Sequence, residues 1–222
     1  MSAIVSQTLA YWRADLSSPR FRALALGAPA VVLAVLLSFR RFLDFIEARP
    51  GPTLADPLLR LFAPQDVAFV LFPVMYAALI GLLLPLARHP RHLVAGLWAY
   101  ALMIAFRMAV MYLLPLDPPP TMIALRDPFV ELFGEQRTLT RDLFFSGHTA
   151  TLFLYTLVMP TPRLRAVAGA ATAFIAIGVI AQHAHYAVDV VAAPFFAYAA
   201  WRAGALLVGR VAPAEALYGG SR

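Results

Sequence analysis

Apolar residues along the chain fall into six runs, separated by short segments that hold most of the charged residues. The runs cover residues 24–39, 67–87, 93–114, 143–160, 166–181 and 185–208. An α-helix needs about 20 apolar residues to cross a bilayer, so the first run is short and the fifth is marginal. The pattern predicts an all-α, polytopic membrane protein with six transmembrane helices.

The residues before the first run carry an apolar pattern with steps of three and four. It consists of Ile4, Val5, Thr8, Leu9, Trp12 and Leu16, which predicts a helix lying in the membrane interface. A cleavable signal peptide is not expected, because Arg40 and Arg41 follow the first run in place of a small-residue cleavage site. The predicted organisation is an interfacial segment at 1–22, a six-span catalytic domain at 23–210 and a cytoplasmic tail at 211–222.

The composition narrows the class of protein further. Hydrophobic residues make up 61% of the chain and charged residues 14%, too few polar groups to cover a soluble protein. The 18 basic residues, all arginine, outnumber the 12 acidic ones but form no basic arm, so no nucleic-acid partner is expected. Without cysteine, the chain has neither a thiolate nucleophile nor a Cys-ligated metal site.

The arginines also predict the orientation in the membrane. With six spans, ten arginines lie on the side of the two termini and seven on the other side. The positive-inside rule therefore places both termini in the cytoplasm. Exclusive use of arginine is typical of a GC-rich bacterial genome, so the expected location is a bacterial inner membrane. The starts of the fourth and sixth runs then face the periplasm or a lumen.

Two histidine motifs stand at these starts. Residues 146–149 read Ser-Gly-His-Thr, and residues 185–189 read His-Tyr-Ala-Val-Asp. The 36 residues between His148 and His185 suffice for two crossings, so both rings are expected at one membrane surface. Asp189 lies one helical turn after His185 and can fix its tautomer, which suits a nucleophile paired with a second, proton-transferring ring. Alone, a histidine at the end of a span is more often an interfacial anchor or a hydrogen-bonded helix cap than a catalytic residue.

Arg107 lies inside the third run, near the same surface. A guanidinium within a membrane span is costly and usually marks a function or a buried partner. A structural arginine whose side chain reaches the interface is the alternative.

The motifs, with Asp142 upstream, resemble the sphingomyelin synthase branch of the type 2 phosphatidic acid phosphatase (PAP2) superfamily. That branch reads Cys-Gly-Asp, three residues, Ser-Gly-His-Thr, and later His-Tyr-Thr-x-Asp-Val. Arg107 with Met111-Tyr112 and Leu114-Pro115 resembles its third-span motif, so the resemblance covers residues 100–200. The chain departs from the pattern at Thr140, Arg141 and Ala187.

The resemblance implies a PAP2-like helical core and a mechanism without a metal or organic cofactor. In it His185 attacks a phospholipid phosphorus to form a phosphohistidine, Asp189 orients His185, and His148 acts as general acid and then as base. The activity implied is that of a headgroup phosphotransferase or phospholipase C-type enzyme, with a phospholipid donor and a lipid-alcohol acceptor such as ceramide, or water. The expected substrate-binding residues are Arg107, Tyr112, Asp142, Ser146, Gly147, Tyr186, Glu131 and Glu135.

Glu131 and Glu135 belong to the loop at 116–141, where Asp117-Pro118-Pro119-Pro120 cannot continue the third helix. Such carboxylates suit an ammonium headgroup, and an acidic residue ahead of the Ser-Gly-His-Thr stretch is typical of the family. Solvated loop charge is the alternative for each of them.

Four other functions stay open on the sequence. A PAP2-type lipid phosphate phosphatase would carry a Ser-Arg pair at the positions of Gly178 and Val179. An intramembrane serine protease would use Ser146, and a non-catalytic transporter or scaffold would use Arg107 and the histidines as pathway or packing groups. A zinc protein would draw its ligands from His148, His183, His185 and Asp189.

Overall fold

The computed structural model describes residues 2–126 and 139–210, and within these ranges its regular structure is helical throughout. The seven α-helices of the described ranges are α1 Ser2–Leu16, α2 Pro19–Glu47, α3 Ala68–Leu86, α4 Pro90–Leu113, α5 Gly147–Val158, α6 Pro162–Ala181 and α7 Ala187–Gly209, with a 3₁₀ turn at Leu59–Leu61. The prediction of an all-α fold is confirmed.

Five of these helices, α2, α3, α4, α6 and α7, are long and apolar enough to cross a membrane. They make the chain an integral membrane protein, as predicted. The fourth predicted span is different, since only 12 of its residues form helix α5, which at about 1.5 Å per residue is about 18 Å long. Six full-length spanning helices are therefore not confirmed in the described residues.

The short helix α5 has a local cause at each end. At its start, the hydroxyl of Ser146 accepts a hydrogen bond from the Thr149 amide at 3.4 Å, which caps the helix after the apolar residues 143–145. At its end, Pro160 disfavours helical geometry in Met159, whose ψ is 134°. The hydropathy of the run alone does not reveal the Ser146 cap or the effect of Pro160.

Small residues bring α4 and α7 together in the core. Ala95 and Ala99 of α4 face Gly204 of α7, where a Cβ would lie 2.5 Å from the Ala95 carbonyl oxygen and 3.0 Å from the Ala99 amide nitrogen. Close backbone approach through small residues is a general means of packing helices in lipid. This contact fixes the position of α7, which carries Asp189.

Gly204→Ala should destabilise the protein, because the added methyl meets backbone atoms that cannot rotate away. The expected cost is about 1–3 kcal/mol, typical of overpacking, and it should appear as a lowered melting temperature in detergent. Gly209→Ala is the matched control in the same helix, since a Cβ there meets nothing within 4 Å. Equal melting temperatures for the two variants would contradict this packing.

Helix α1 packs beside the turn between α3 and α4. The Trp12 indole donates to the Ala87 carbonyl at 2.9 Å, and Asp15 accepts from Arg91 Nε at 2.8 Å. The predicted N-terminal helix is thus present. Its location in the membrane interface remains a prediction.

The connecting segments at the other end of the bundle bind one another. The Gln65 amide donates to the Ala181 carbonyl at 2.8 Å, and the Ile123 amide donates to the Gln182 carbonyl at 3.1 Å. Helices α5 and α7 both begin at this end. We call it the site end; it comprises residues 48–67, 114–126, 139–146 and 182–186.

Candidate active site

A main-chain hydrogen bond joins the two histidine motifs. The Ser146 amide donates to the Asp189 carbonyl at 3.1 Å, across the start of α5 and the first turn of α7. The Ser146 hydroxyl also accepts from the Thr149 hydroxyl at 3.1 Å, and both residues are buried. The observed contacts make Ser146 a helix cap that holds the turn carrying His148.

His185 and Asp189 form the buried pair that their spacing predicts. His185 Nδ1 lies 3.3 Å from Asp189 Oδ2, a long hydrogen bond, with the two side chains 4% and 0% exposed. The Tyr186 amide donates to the same oxygen at 3.0 Å. Because a carboxylate only accepts, a neutral His185 carries its proton on Nδ1 and keeps a lone pair on Nε2.

Asp56 caps helix α7 from a distant loop. Its Oδ2 accepts from the Ala187 amide at 2.6 Å, and its Oδ1 accepts from the Leu58 amide at 2.9 Å. A carboxylate is stabilising at a helix N-terminus, so Asp56 fixes the turn between His185 and Asp189. This role of Asp56 was not predictable from the sequence, because 131 residues separate the partners and only the Asp-Pro context of Asp56 indicates a turn.

Arg107 is buried, with 4% of the residue exposed, and its charge is paired. Its Nε donates to the Phe145 carbonyl at 3.0 Å, and its Nη2 lies 2.5 Å from Asp142 Oδ1. Its guanidinium also lies against Gly147. The structure thus brings Arg107, Asp142 and the Ser-Gly-His segment together. Through these contacts Arg107 holds the loop that precedes His148 in position.

Gly147→Ala should lower turnover because its Cβ would overlap the Arg107 guanidinium, which Phe145 and Asp142 hold in place. A displacement of about 1 Å near reacting groups costs roughly 10²-fold in rate, and a loss of that order is expected in a lipid turnover assay. Gly81→Ala is the control, since a Cβ there meets nothing within 4 Å. A Gly147→Ala enzyme as active as the control would exclude this role for the Arg107 contact.

His148 occupies the first turn of α5 and is half-buried. Its ring lies edge-on to Phe72 of α3, with 6.0 Å between the ring centroids. The His148 ring therefore packs against helix α3.

A polar network anchors the segment before the motif. Glu47, at the end of α2, accepts from the Thr140 and Arg141 amides, each at 3.0 Å. Arg141 in turn donates to Asp117 Oδ1 at 2.6 Å. Hydrogen bonding by Arg141 and by the Gly51 amide lowers the pKa of Asp117, so this carboxyl stays ionised. Glu47 was not predictable as a partner, because 93 residues separate it from Thr140.

The side chains of two other predicted substrate-binding residues contact groups outside the histidine motifs. The Tyr112 ring is exposed and stacks on Phe45, with 6.2 Å between the ring centroids. The Tyr186 hydroxyl donates to the Asp117 carbonyl at 2.8 Å and accepts from the Leu54 amide at 3.1 Å. Glu131 and Glu135 lie outside the described residues.

The candidate zinc ligands His183 and His185 form contacts with different side chains. His183 Nδ1 lies 2.6 Å from the Thr121 hydroxyl, whereas His185 faces Asp189. In the described ranges, no three His, Asp or Glu side chains are grouped as metal ligands.

Gly178 and Val179, where the phosphatase branch carries Ser-Arg, take part in apolar packing. Val179 is buried, and a Cβ on Gly178 would overlap the Leu71 side chain. These positions therefore offer no cation to a phosphate.

Comparison with known proteins gives one family match. Residues 141–205 match the family described as PAP2 superfamily C-terminal, a stretch that includes Asp142, His148, His185 and Asp189. This match supports membership of the chain in the PAP2 superfamily and a phosphatase- or phosphotransferase-type function on lipids. A search of the curated proteins finds no match.

Proposed function

We propose that this PAP2-type membrane protein transfers the phosphoryl headgroup of a phosphodiester phospholipid, releasing diacylglycerol and passing the headgroup to a lipid hydroxyl or to water. The observation that carries the proposal is the buried His185–Asp189 pair, hydrogen-bonded through the Asp189 carbonyl to the segment that holds His148. The pair supplies an oriented nucleophile, and His148 supplies a second imidazole from the adjoining helix start.

In the first step, Nε2 of His185 attacks phosphorus and the bond from phosphorus to the diacylglycerol oxygen breaks. His148, protonated, donates its proton to that oxygen, so neutral diacylglycerol leaves. Asp189 stabilises the charge on the His185 ring through Nδ1–H. The product is a phosphohistidine that still carries the headgroup.

In the second step, an acceptor hydroxyl attacks the same phosphorus. His148, now neutral, takes the hydroxyl proton, and the bond from phosphorus to Nε2 of His185 breaks. The acceptor becomes a new phosphodiester, or water gives the free phosphorylated headgroup. Both histidines return to their starting protonation states.

The preference for a phosphodiester is supported by how the arginines are paired. Arg107 is bound to Asp142, and Arg141 is bound to Asp117. A phosphomonoester brings close to two negative charges and needs several available cationic donors in a partly dehydrated site. A phosphodiester brings one charge and needs fewer.

The test is a comparison of purified lipids in nanodiscs, with and without ceramide. Phosphatidylethanolamine, phosphatidylcholine and phosphatidic acid are supplied separately, and mass spectrometry identifies the products. We expect diacylglycerol to form fastest from one of the phosphodiesters, with its headgroup transferred to ceramide. Faster turnover of phosphatidic acid, with no transfer to any alcohol, would establish the lipid phosphate phosphatase that the family match also allows.

The site end is proposed to face the periplasm or a lumen, with both termini in the cytoplasm. The chain has no cysteine, so single-cysteine variants report cleanly. Leu61→Cys, at a site-end position that is 78% exposed, should react with an impermeant maleimide in intact cells. Arg88→Cys, at the opposite end, should react only after permeabilisation. The reverse pattern would overturn the orientation.

A further inference from the structure

A cavity lined by both polar and apolar residues lies at the site end, and neither His185 nor Asp189 lines it. Its volume is about 670 Å³, and the residues that line it include Asp56, Arg60, Phe62, Thr121, His183 and Tyr186. The proposed reaction assigns no role to Arg60, Thr121 or His183.

His183 is a buried imidazole with one nitrogen unsatisfied. The residue is 1% exposed, and its φ of 53° holds it in the left-handed region that few side chains adopt. Nδ1 is held by the Thr121 hydroxyl at 2.6 Å, and the ring edge meets Phe62 with 5.1 Å between centroids. Nε2 has no hydrogen-bond partner among the described residues. Buried polar groups are usually hydrogen-bonded, so a molecule bound at Nε2 would complete the hydrogen bonding of this ring.

The charges of the cavity wall favour an acceptor of hydrogen bonds as that partner. Arg60 is exposed, and none of its described neighbours forms an ion pair with it. Asp56 also lines the cavity, but both its oxygens already accept main-chain amides, those of Ala187 and Leu58 among them. Among the described residues, the wall therefore carries the unpaired cation Arg60 and the carboxylate of Asp56, whose oxygens are already hydrogen-bonded.

We infer that this cavity binds a phosphate group, carried either by a lipid headgroup or by a small soluble molecule. In the tautomer that the inference requires, the Thr121 hydroxyl donates to Nδ1 of His183 and the ring proton lies on Nε2, from which it is donated to a phosphate oxygen. Arg60 provides the second, charge-assisted contact. The volume leaves room for a polar substituent on the phosphate. The inference does not depend on the reaction at His185.

The test is a titration with inorganic phosphate, followed by nitrogen NMR of histidine-labelled protein in detergent. It uses the His185→Ala background, in which the proposed turnover cannot occur. The His183 Nε2 signal should shift and saturate. His183→Asn, chosen because asparagine tolerates the left-handed region, removes the NMR reporter, so its phosphate affinity is measured by calorimetry. It should be weaker by at least about tenfold, the typical effect of a lost charge-assisted hydrogen bond.

Arg60→Gln keeps the test valid should His183→Asn fail to fold. It should weaken binding several-fold, while Arg126→Gln, an exposed site-end arginine that does not line the cavity, should not. Saturation by glycerol 3-phosphate would identify a soluble ligand. Saturation only in phosphatidylcholine nanodiscs doped with phosphatidic acid would identify a lipid headgroup. No shift of His183 with any of these probes, or identical affinities in the two arginine variants, would overturn the inference.

Discussion

His185→Ala is expected to abolish lipid turnover while the protein still inserts and purifies as the wild type does. In the proposed mechanism, His185 is the nucleophile that attacks phosphorus. Without it no phosphohistidine forms, so there is no intermediate for water or an acceptor hydroxyl to attack. Diacylglycerol release from phosphatidylethanolamine and phosphatidylcholine nanodiscs measures the effect.

His89→Ala is the matched control. His89 stands at the opposite end of the bundle, before α4, and provides no side-chain cap to that helix. It should retain wild-type turnover. A His185→Ala enzyme with turnover close to that of the control would exclude His185 as the nucleophile.

Asp189→Asn is expected to slow turnover by several orders of magnitude with little change in shape. His185 and the Tyr186 amide contact the same oxygen of Asp189, Oδ2, and only one end of an amide can take that position. With the amide oxygen there, both hydrogen bonds persist but the negative charge that stabilises the charged His185 ring is lost. With the amide nitrogen there, it donates to Nδ1 and moves the ring proton to Nε2, so the attacking lone pair is lost. A comparable exchange in the serine protease triad costs about 10⁴ in kcat.

Asp66→Asn provides the control for the loss of a carboxylate at the same end. Asp66 is exposed and accepts a hydrogen bond from the Ala68 amide at 3.2 Å. The turnover of the Asp66→Asn variant should match that of the wild type. Should Asp189→Asn lose less than tenfold, orientation of His185 by Asp189 would not be part of the mechanism.

The apolar runs were sufficient to predict most of the fold. The five long helices lie where hydropathy placed them, because a continuous apolar run of that length has few alternatives in lipid. Helix α5 was not predictable in this way. Its run is long enough for the pattern to predict a span, but Ser146 and Pro160 limit the helix to the residues between them.

The site was predictable only where its contacts are local. His185 and Asp189 meet because residues four apart share a helix face. The partner of Arg107 was not predictable from spacing, since Asp142 lies 35 residues away. Asp56 and Glu47 bind α7 and the segment before α5 across longer separations. Tertiary packing alone determines such pairs.

The most direct measurement is the identity of the group covalently held on the protein during turnover. Wild-type protein is mixed with phosphatidylethanolamine, quenched rapidly under alkaline conditions that preserve phosphohistidine, digested and sequenced by mass spectrometry. We expect a phosphoryl group that still carries ethanolamine, attached to His185 and missing from the His185→Ala protein. A bare phosphoryl group on His185, formed only from phosphatidic acid, would contradict the transfer of a phosphodiester headgroup, and an adduct on any other residue would contradict the assignment of the nucleophile.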